Sequence, residues 1–374
     1  GSVQNVHSPR LVTSLGKKFA THIDCHTFHS LAVVRGIGYT LYTWGGGQYG
    51  KLGHRSTENC LLPTPVTFFD KKAVIIASCG LEHTACITKD GKIYAWGYCL
   101  NRRCGFDNVL HKGKASYIDE PRWVRGLDPK QIVGFQGNEQ KVASIQEARV
   151  KQVACGVKHS IARLGDEDSG YLMAWGSNEC GQMGTGPHRR AFKPIKVFVS
   201  LDNNYFDERI TDYTSIVQVA CGDFHTIAVS KNGNVFSWGR NNEGQLGLGD
   251  TKNRNKPILV DLLQGEEIMA VSAGGDVSAA VPSQPADNDP RFPFLFLWGN
   301  GCRGQLGFGR EVTQLSSPKQ LQLKIPPVYK EKHSAGMEVA LGRMHTLILV
   351  HHIVETGKRP KLRSDLYASG EGRH

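Results

Sequence analysis

The sequence has no apolar run of about 18 residues, so no membrane-spanning helix is predicted. It also lacks a Walker phosphate-binding loop, an H-E-x-x-H pair, paired C-x-x-C motifs and a G-x-S-x-G elbow. No secretory signal peptide is visible, and residues 1–7, which begin with Gly1-Ser2, are interpreted as an expression-tag remnant and lead-in. Nothing therefore supports hydrolytic or redox catalysis, and we expect neither a cofactor nor a metal site.

An internal repeat organises the rest of the chain. Residues 219–247 contain an apolar run, a Gly, a His-Thr pair, a second apolar run, an Asn-Gly turn, a Trp-Gly pair and a closing Gly-Gln-Leu-Gly. A fixed order that recurs along the chain is typical of repeat architectures. We identify six copies, which begin at Pro9, Pro65, Pro121, Pro194, Pro257 and Pro318.

Each copy contains four short segments with the alternation and β-branched content of strands. The first follows the proline, the second precedes the Gly, the third follows the His, and the fourth ends in Trp-Gly. Asp90-Gly91 and Asn232-Gly233 are interpreted as two-residue hairpin turns in which both residues have positive φ. Four antiparallel strands repeated radially predict an all-β protein with the fold of a β-propeller.

One blade cannot bury both of its faces alone, so the copies are expected to form one domain over residues 1–374. Residues 105–150, between repeats two and three, are longer than the repeat requires and are interpreted as an insertion. Loops that outgrow a rigid scaffold are often functional, although a tolerated insertion is equally consistent with the sequence.

The combination of Gly-x-x-His-[Ser/Thr], Trp-Gly and Gly-Gln-Leu-Gly resembles the regulator of chromosome condensation repeat, over roughly residues 8–372. The resemblance implies a β-propeller, usually of seven blades. Because this chain contains only six copies, we expect six blades, or seven if one is degenerate. The founding member of that family exchanges guanine nucleotide on the small GTPase Ran and docks on chromatin. The resemblance therefore makes nucleotide exchange a hypothesis for this chain.

Histidines and cysteines occupy fixed positions of the repeat. His29, His83, His159, His225 and His345 are in register, and one histidine per blade places them too far apart to share a metal ion. We expect them to be buried and hydrogen-bonded to neighbouring backbone. Four of the ten cysteines share the position before the Gly, which predicts a packing role and a reduced, intracellular chain.

Positive charge is concentrated in the loops that follow the Trp-Gly pairs. These loops (45–62, 97–120, 176–193, 239–256 and 299–319) together carry +8 of the net +11. In a four-stranded meander they lie on the same face as the turns before the His, so a basic face that attracts an acidic partner is predicted. The candidate partner-binding residues are arginines, which suit bidentate capture of carboxylate or phosphate: Arg102, Arg103, Arg189, Arg190, Arg240, Arg254, Arg303 and Arg310.

The sequence thus favours a non-catalytic scaffold that binds an acidic protein through this basic face. The alternatives are a nucleotide exchange factor for a Ran-like GTPase and a protein that binds chromatin or nucleic acid. Aromatic residues are not interleaved with the loop arginines along the chain, so stacking of single-stranded bases on these loops is poorly supported. A monomeric protein in the nucleus or cytoplasm is expected.

Overall fold

The computed structural model of the protein describes residues 12–16, 18–36, 38–106, 110–111, 114–115, 117–127, 149–166, 168–187, 191–201, 214–283, 293–323, 334–356 and 359–370. Helix in this part of the chain is limited to 3-10 turns of three residues: Thr13–Leu15, Gln48–Gly50, Thr67–Phe69, Leu100–Arg102 and Asp261–Leu263. No helix among the described residues is long and apolar enough to cross a membrane.

The strands form six antiparallel sheets, which are the blades of a six-bladed propeller. Within each blade the first strand lies nearest the central axis and the last strand lies outermost. Blade one contains β1 (Phe19–Cys25), β2 (His29–Arg35), β3 (Tyr39–Gly45) and β4 (Cys60–Pro65). Blade two contains β5 (Val74–Cys79), β6 (His83–Thr88), β7 (Ile93–Tyr98) and β10 (Tyr117–Trp123), with a separate hairpin of β8 (Leu110–His111) and β9 (Lys114–Ala115).

Blade three contains β11 (Val150–Cys155), β12 (His159–Leu164), β13 (Tyr171–Gly176) and β14 (Ala191–Val197). Blade four contains β15 (Ile216–Cys221), β16 (His225–Ser230), β17 (Val235–Gly239) and β18 (Arg254–Leu259). Blade five contains β19 (Ile268–Gly274), β20 (Val277–Pro282), β21 (Phe294–Asn300) and β22 (Gln314–Gln322). Blade six has three strands among the described residues: β23 (Ser334–Leu341), β24 (His345–Thr356) and β25 (Arg359–Gly370).

The predicted β-propeller is confirmed, and six blades are observed. The sequence copies and the structural blades differ in phase by one strand. The strand that carries the proline pairs with the Trp-Gly strand of the preceding sequence copy and belongs to the same blade, as β4 pairs with β3 and β18 with β17. For the same reason, residues 117–123 of the predicted insertion form β10, the outer strand of blade two. The strand predicted after Pro9 lies outside the described residues.

The hairpin turns differ from the prediction. Only the glycine has positive φ, 80° at Gly91 and 77° at Gly233, whereas the preceding Asp90 and Asn232 do not. The carbonyl of Thr88 accepts a hydrogen bond from the N–H of Gly91, and the N–H of Thr88 donates to the carbonyl of Lys92. This is the pattern of a type I turn followed by a left-handed residue, which matches the strand twist with one positive φ instead of two.

Neighbouring blades are joined by a repeated hydrogen-bond arrangement, which we call the latch. A histidine Nε2 contacts the Ser or Thr hydroxyl of the next blade, and that hydroxyl donates to a backbone carbonyl in the Gly-Gln-Leu-Gly loop. The same carbonyl accepts the Nε1–H of the next blade's tryptophan. The histidine–hydroxyl pairs are His29–Thr84 at 2.8 Å, His83–Ser160 at 2.9 Å, His159–Thr226 at 3.1 Å and His225–Ser278 at 2.9 Å. The carbonyls are those of Lys51, Arg103, Gln182 and Gln245, and the tryptophans are Trp96, Trp175, Trp238 and Trp298.

The latch fixes the charge state of its histidines. Because the hydroxyl uses its only proton on the carbonyl, it must accept from the histidine, so Nε2 carries the proton and Nδ1 does not. The four Nδ1 atoms are buried and make no hydrogen bond among the described residues. Burial lowers the pKa of His29 and of His159 to about 3 and that of His225 to about 4, and it lowers the pKa of His83 well below the usual value. The expected burial is thus observed for these four histidines, but their partner is a side-chain hydroxyl instead of backbone. For His345, which is exposed, the predicted burial is wrong.

The junction between blades five and six has Val277 in place of the histidine, and the junction between blades six and one has no latch among the described residues. His345 is exposed, and in the described part of the chain neither its ring nor the side chains of Ser30 and Trp44 form a hydrogen bond. Trp44 is half-buried, whereas the four latch tryptophans are fully buried. On β1, Phe19 is 69% and Ile23 is 73% exposed. The inner strand of blade one is therefore more exposed than the inner strands of blades two to five.

All ten cysteines are unpaired. Cys79 and Cys155 are buried, and burial raises the pKa of Cys155 to about 12, so its thiol stays protonated. Cys25 shares their position in the repeat but is exposed. The predicted packing role therefore applies to the cysteines between covered blades.

Candidate protein-docking face

One end of the propeller is formed by the loops after the Trp-Gly pairs and by the turns that precede the histidines. We call this end the loop face. The residue after each Trp-Gly donates its N–H to a carbonyl of the turn, as in Gly46 to Phe28 at 2.7 Å and Arg240 to Phe224 at 2.9 Å. Gly239 has a φ of 106°, and a Cβ there would lie 2.5 Å from the Phe224 oxygen, so only glycine permits this approach. The strand order thus brings loop and turn together, as expected.

The predicted arginines occupy different environments. Arg303 and Arg310 are exposed, and Arg102, Arg240 and Arg254 are partly buried. Arg254 pairs with Asp250 at 2.7 Å. Arg189 and Arg190 lie outside the described residues. Two exposed cations, both in the loop between β21 and β22 of blade five, are therefore the best placed of the set to contact a partner.

Arg103 has a structural position that the sequence did not reveal. Its side chain is 3% exposed, its Nη1 donates to the carbonyl of Val157 at 2.9 Å, and it lies 3.5 Å from Glu82. Its own carbonyl is one of the latch acceptors. Arg103 therefore holds the loop of blade two against blade three and is not available to a partner.

Cations and aromatic rings meet on this face through tertiary contacts. The ring of Phe224 lies 5.8 Å from Nζ of Lys158 and 5.7 Å from Cζ of Arg240. Nζ of Lys51 lies 5.3 Å from the ring of Phe28, which is 55% exposed. The turns and loops that carry these residues are far apart in sequence, which is why no interleaving was visible along the chain.

Near the central axis, three turns converge on a buried carboxylate. The side chain of Asp223 in blade four is 3% exposed and lies 2.6 Å from Arg343 of blade six and 3.7 Å from His26 of blade one. Burial raises the pKa of Asp223, although Arg343 opposes the shift. Burial and nearby cations lower the pKa of His26 to about 4, so it is neutral at pH 7. The contact links the turns of three blades at the centre of the loop face.

Sequence reasoning missed this cluster, because turn positions vary between copies and each copy supplies only one member. The available signal was a pair of opposite charges, Asp223 and Arg343, at a turn position that is apolar or small in blades two, three and five. Beside Arg343, Met344 is 48% exposed. The loop face therefore offers exposed apolar side chains near its centre and exposed arginines in the loop between β21 and β22 of blade five.

No group of three or more His, Cys, Asp or Glu side chains within the described ranges could hold a metal ion. The candidate site is therefore an exposed surface of charged and apolar side chains on the loop face.

The model of the RCC1-like domain family (WD40_RLD) matches residues 1–348. The chain is 28% identical over 291 residues to the ultraviolet-B receptor UVR8 of Arabidopsis thaliana, with 70% of this chain and 62% of that protein covered. It is 28% identical over 344 residues to the probable E3 ubiquitin-protein ligase HERC4 of Homo sapiens, with 82% and 29% covered. The chain therefore spans less than two thirds of these relatives.

Two solved structures share the fold. Human WBSCR16 superposes with a TM-score of 0.67 at 19% identity, covering 90% of this chain and 76% of that one. Prp20p of Saccharomyces cerevisiae, a protein whose structure was described together with its binding to Gsp1p and histones, superposes with a TM-score of 0.65 at 18% identity, covering 94% and 76%.

Proposed function

Since this chain belongs to the RCC1-like domain family of β-propellers, we propose that it is a non-catalytic scaffold that binds an acidic protein through its loop face. The observation that carries the proposal is that the loop face presents both exposed arginines, Arg303 and Arg310, and exposed apolar side chains, those of Phe28 and Met344. Arginines and large apolar side chains are enriched among residues that dominate protein interfaces.

Electrostatic attraction makes the interaction sensitive to both charge and salt. We expect the double substitution Arg303→Ala/Arg310→Ala to weaken partner binding by roughly tenfold, since two exposed charged contacts of about 0.7 kcal/mol each together contribute about 1.4 kcal/mol. The measurement is quantitative pull-down with the folded chain at two salt concentrations, followed by titration of the retained protein. The change should leave the melting temperature within about 2 °C, because both side chains are exposed.

A charge-matched control is Lys72→Ala/Arg125→Ala, which removes two cations from the opposite end of the molecule. If both double variants retain the same proteins as the parent, or lose them equally, the loop face is not the docking surface.

Nucleotide exchange on a Ran-like GTPase is the alternative function. One observation favours it: among the described residues, only the loop between β7 and β10 of blade two carries its own hairpin, β8 paired with β9. Prp20p, which shares the fold, is described as binding Gsp1p. An exchange factor would accelerate the release of labelled GDP, and Arg102→Ala in this loop should slow it. If GDP release is unchanged across a panel of small GTPases, the exchange function is rejected and the scaffold function is retained.

A further inference from the structure

A second basic surface lies at the opposite end of the propeller, on the outer corner of blade two. Three segments meet there: the connection between blades one and two (66–73), the hairpin between β6 and β7, and the end of β10 with the residues after it. The backbone joins them, since Lys89 donates its N–H to Ala73 at 2.8 Å and Val124 donates to Ile93 at 2.9 Å. We call this surface the corner cluster: Phe68, Lys71, Lys72, Lys89, Lys92, Tyr94, Trp123, Arg125 and Arg149.

Three aromatic residues lie in the corner cluster, of which Trp123 is the most exposed and Tyr94 is buried. Phe68 and Tyr94 lie 5.5 Å apart, and Tyr94 pairs directly with Trp123 across β7 and β10. Trp123 is 39% exposed, whereas the four latch tryptophans are fully buried. Part of the Trp123 ring is therefore open to solvent, where a planar ligand can reach it.

Cations lie close to all three aromatic rings. Nζ of Lys72 lies 4.3 Å from the ring of Phe68 and 4.9 Å from that of Tyr94. Lys92 and Arg125 each lie 5.7 Å from the ring of Trp123. Arg149 is beside the hairpin, with its Cβ 3.7 Å from the point where a Cβ on Gly91 would lie.

Most of this charge is not neutralised. Asp90 pairs with Lys92 at 2.9 Å, but within the described residues no carboxylate pairs with Lys71, Lys72, Lys89, Arg125 or Arg149. A surface that keeps several cations without counter-charges attracts polyanions.

We propose that the corner cluster binds single-stranded nucleic acid, with bases stacked on Trp123 and phosphates held by Lys72, Lys89, Arg125 and Arg149. Surfaces that bind single strands combine a positive track for the backbone with aromatic side chains on which bases stack. An acidic peptide would satisfy the cations but would leave the exposed indole without a planar partner. A duplex hides its bases, so it would use only the charges.

The test is fluorescence anisotropy of labelled 12-nucleotide oligo(dT) and oligo(rU) with the full chain at about 50 and 200 mM salt. Affinity should fall with salt, with a log–log slope of about −0.7 per phosphate contacted. Trp123→Ala should weaken binding roughly 5- to 100-fold, the range measured for loss of one base–aromatic stack. Trp123→Phe should restore much of that loss, and circular dichroism checks that each variant is folded.

The control pair separates this surface from the loop face. Lys72→Ala/Arg125→Ala should lower the affinity and flatten the salt slope, whereas Arg303→Ala/Arg310→Ala, which removes the same net charge, should change neither. The proposal is overturned if the parent does not bind at 50 mM salt, if Trp123→Ala binds like the parent, or if polyglutamate competes as well as the oligonucleotide. Loss of the protein partner from the loop face would leave this result unaffected, so the two proposals fail separately.

Discussion

Lowering the pH from 7 to about 4.5 is expected to unfold this protein, because the four latch histidines must stay neutral in the fold. His29, His83, His159 and His225 have pKa values depressed by burial, and an unfolded histidine has a pKa near 6.5. Below pH 6.5 the unfolded chain therefore binds more protons than the folded one. The contribution of these four histidines to the free energy of unfolding is constant above that pH and falls as the pH drops toward the folded pKa values.

The effect is large enough to decide the outcome. Each neutral buried histidine costs about 1.4 kcal/mol of stability per pH unit below 6.5, or about 3 kcal/mol at pH 4.5. The four histidines together would lower the free energy of unfolding by about 11 kcal/mol at pH 4.5. This loss lies within the 5–15 kcal/mol that is the typical stability of a folded domain. The measurement is tryptophan fluorescence at a series of pH values, with denaturant titrations between pH 5 and 8.

Blade five supplies the control, because Val277 occupies the histidine position there and is fully buried. His159→Val removes one hydrogen bond and should cost about 1–2 kcal/mol at pH 7. Because it also removes one proton-binding site from the unfolded chain, the variant should become more stable than the parent below about pH 5.5. If the two stability curves stay parallel from pH 7 to 5, the latch histidines are not the source of acid sensitivity.

Replacing Trp238 with alanine is expected to cost about 3–5 kcal/mol, the usual range for removing a fully buried tryptophan. Trp238 fills the space between blades three and four and donates its Nε1–H to the carbonyl of Gln182 at 3.0 Å. The substitution leaves a large cavity and takes one of two donors from that carbonyl. Equilibrium unfolding in denaturant measures the loss.

Trp44→Ala is the matched comparison, since Trp44 has the same repeat position but stands at the junction with blade six. It is half-buried and makes no side-chain hydrogen bond among the described residues, so we expect a loss of about 1–1.5 kcal/mol. Similar losses for both tryptophans would mean that blades six and one are packed as tightly as the other blades.

The predicted loop-face position of the arginines shows where sequence reasoning stops. The repeat order sets the direction of each strand, and strand direction assigns every loop to one end of the propeller. It does not determine which side chain in a loop is buried. Arg102 and Arg103 are neighbours in sequence, yet Arg103 is buried because Val157 of the next blade supplies its hydrogen-bond acceptor.

Contacts between distant copies were likewise invisible in the sequence. Asp223, Arg343 and His26 belong to three different repeats, and only the closing of the blades around one axis brings them within 4 Å. The corner cluster has the same origin, since Lys72, Lys92 and Trp123 come from three segments whose adjacency depends on β10 joining blade two.

The sequence by itself determined the strand count of the repeat, the propeller fold and the common face of the Trp-Gly loops. It could do so because local patterns of apolar residues, glycine and tryptophan recur in register and each acts over a few residues. The tertiary structure decided the phase between copies and blades, the missing latch between blades six and one, and which cations are buried, paired or exposed. Those properties depend on what a neighbouring blade places opposite a side chain, and a repeat read along one chain does not specify its neighbours across the ring.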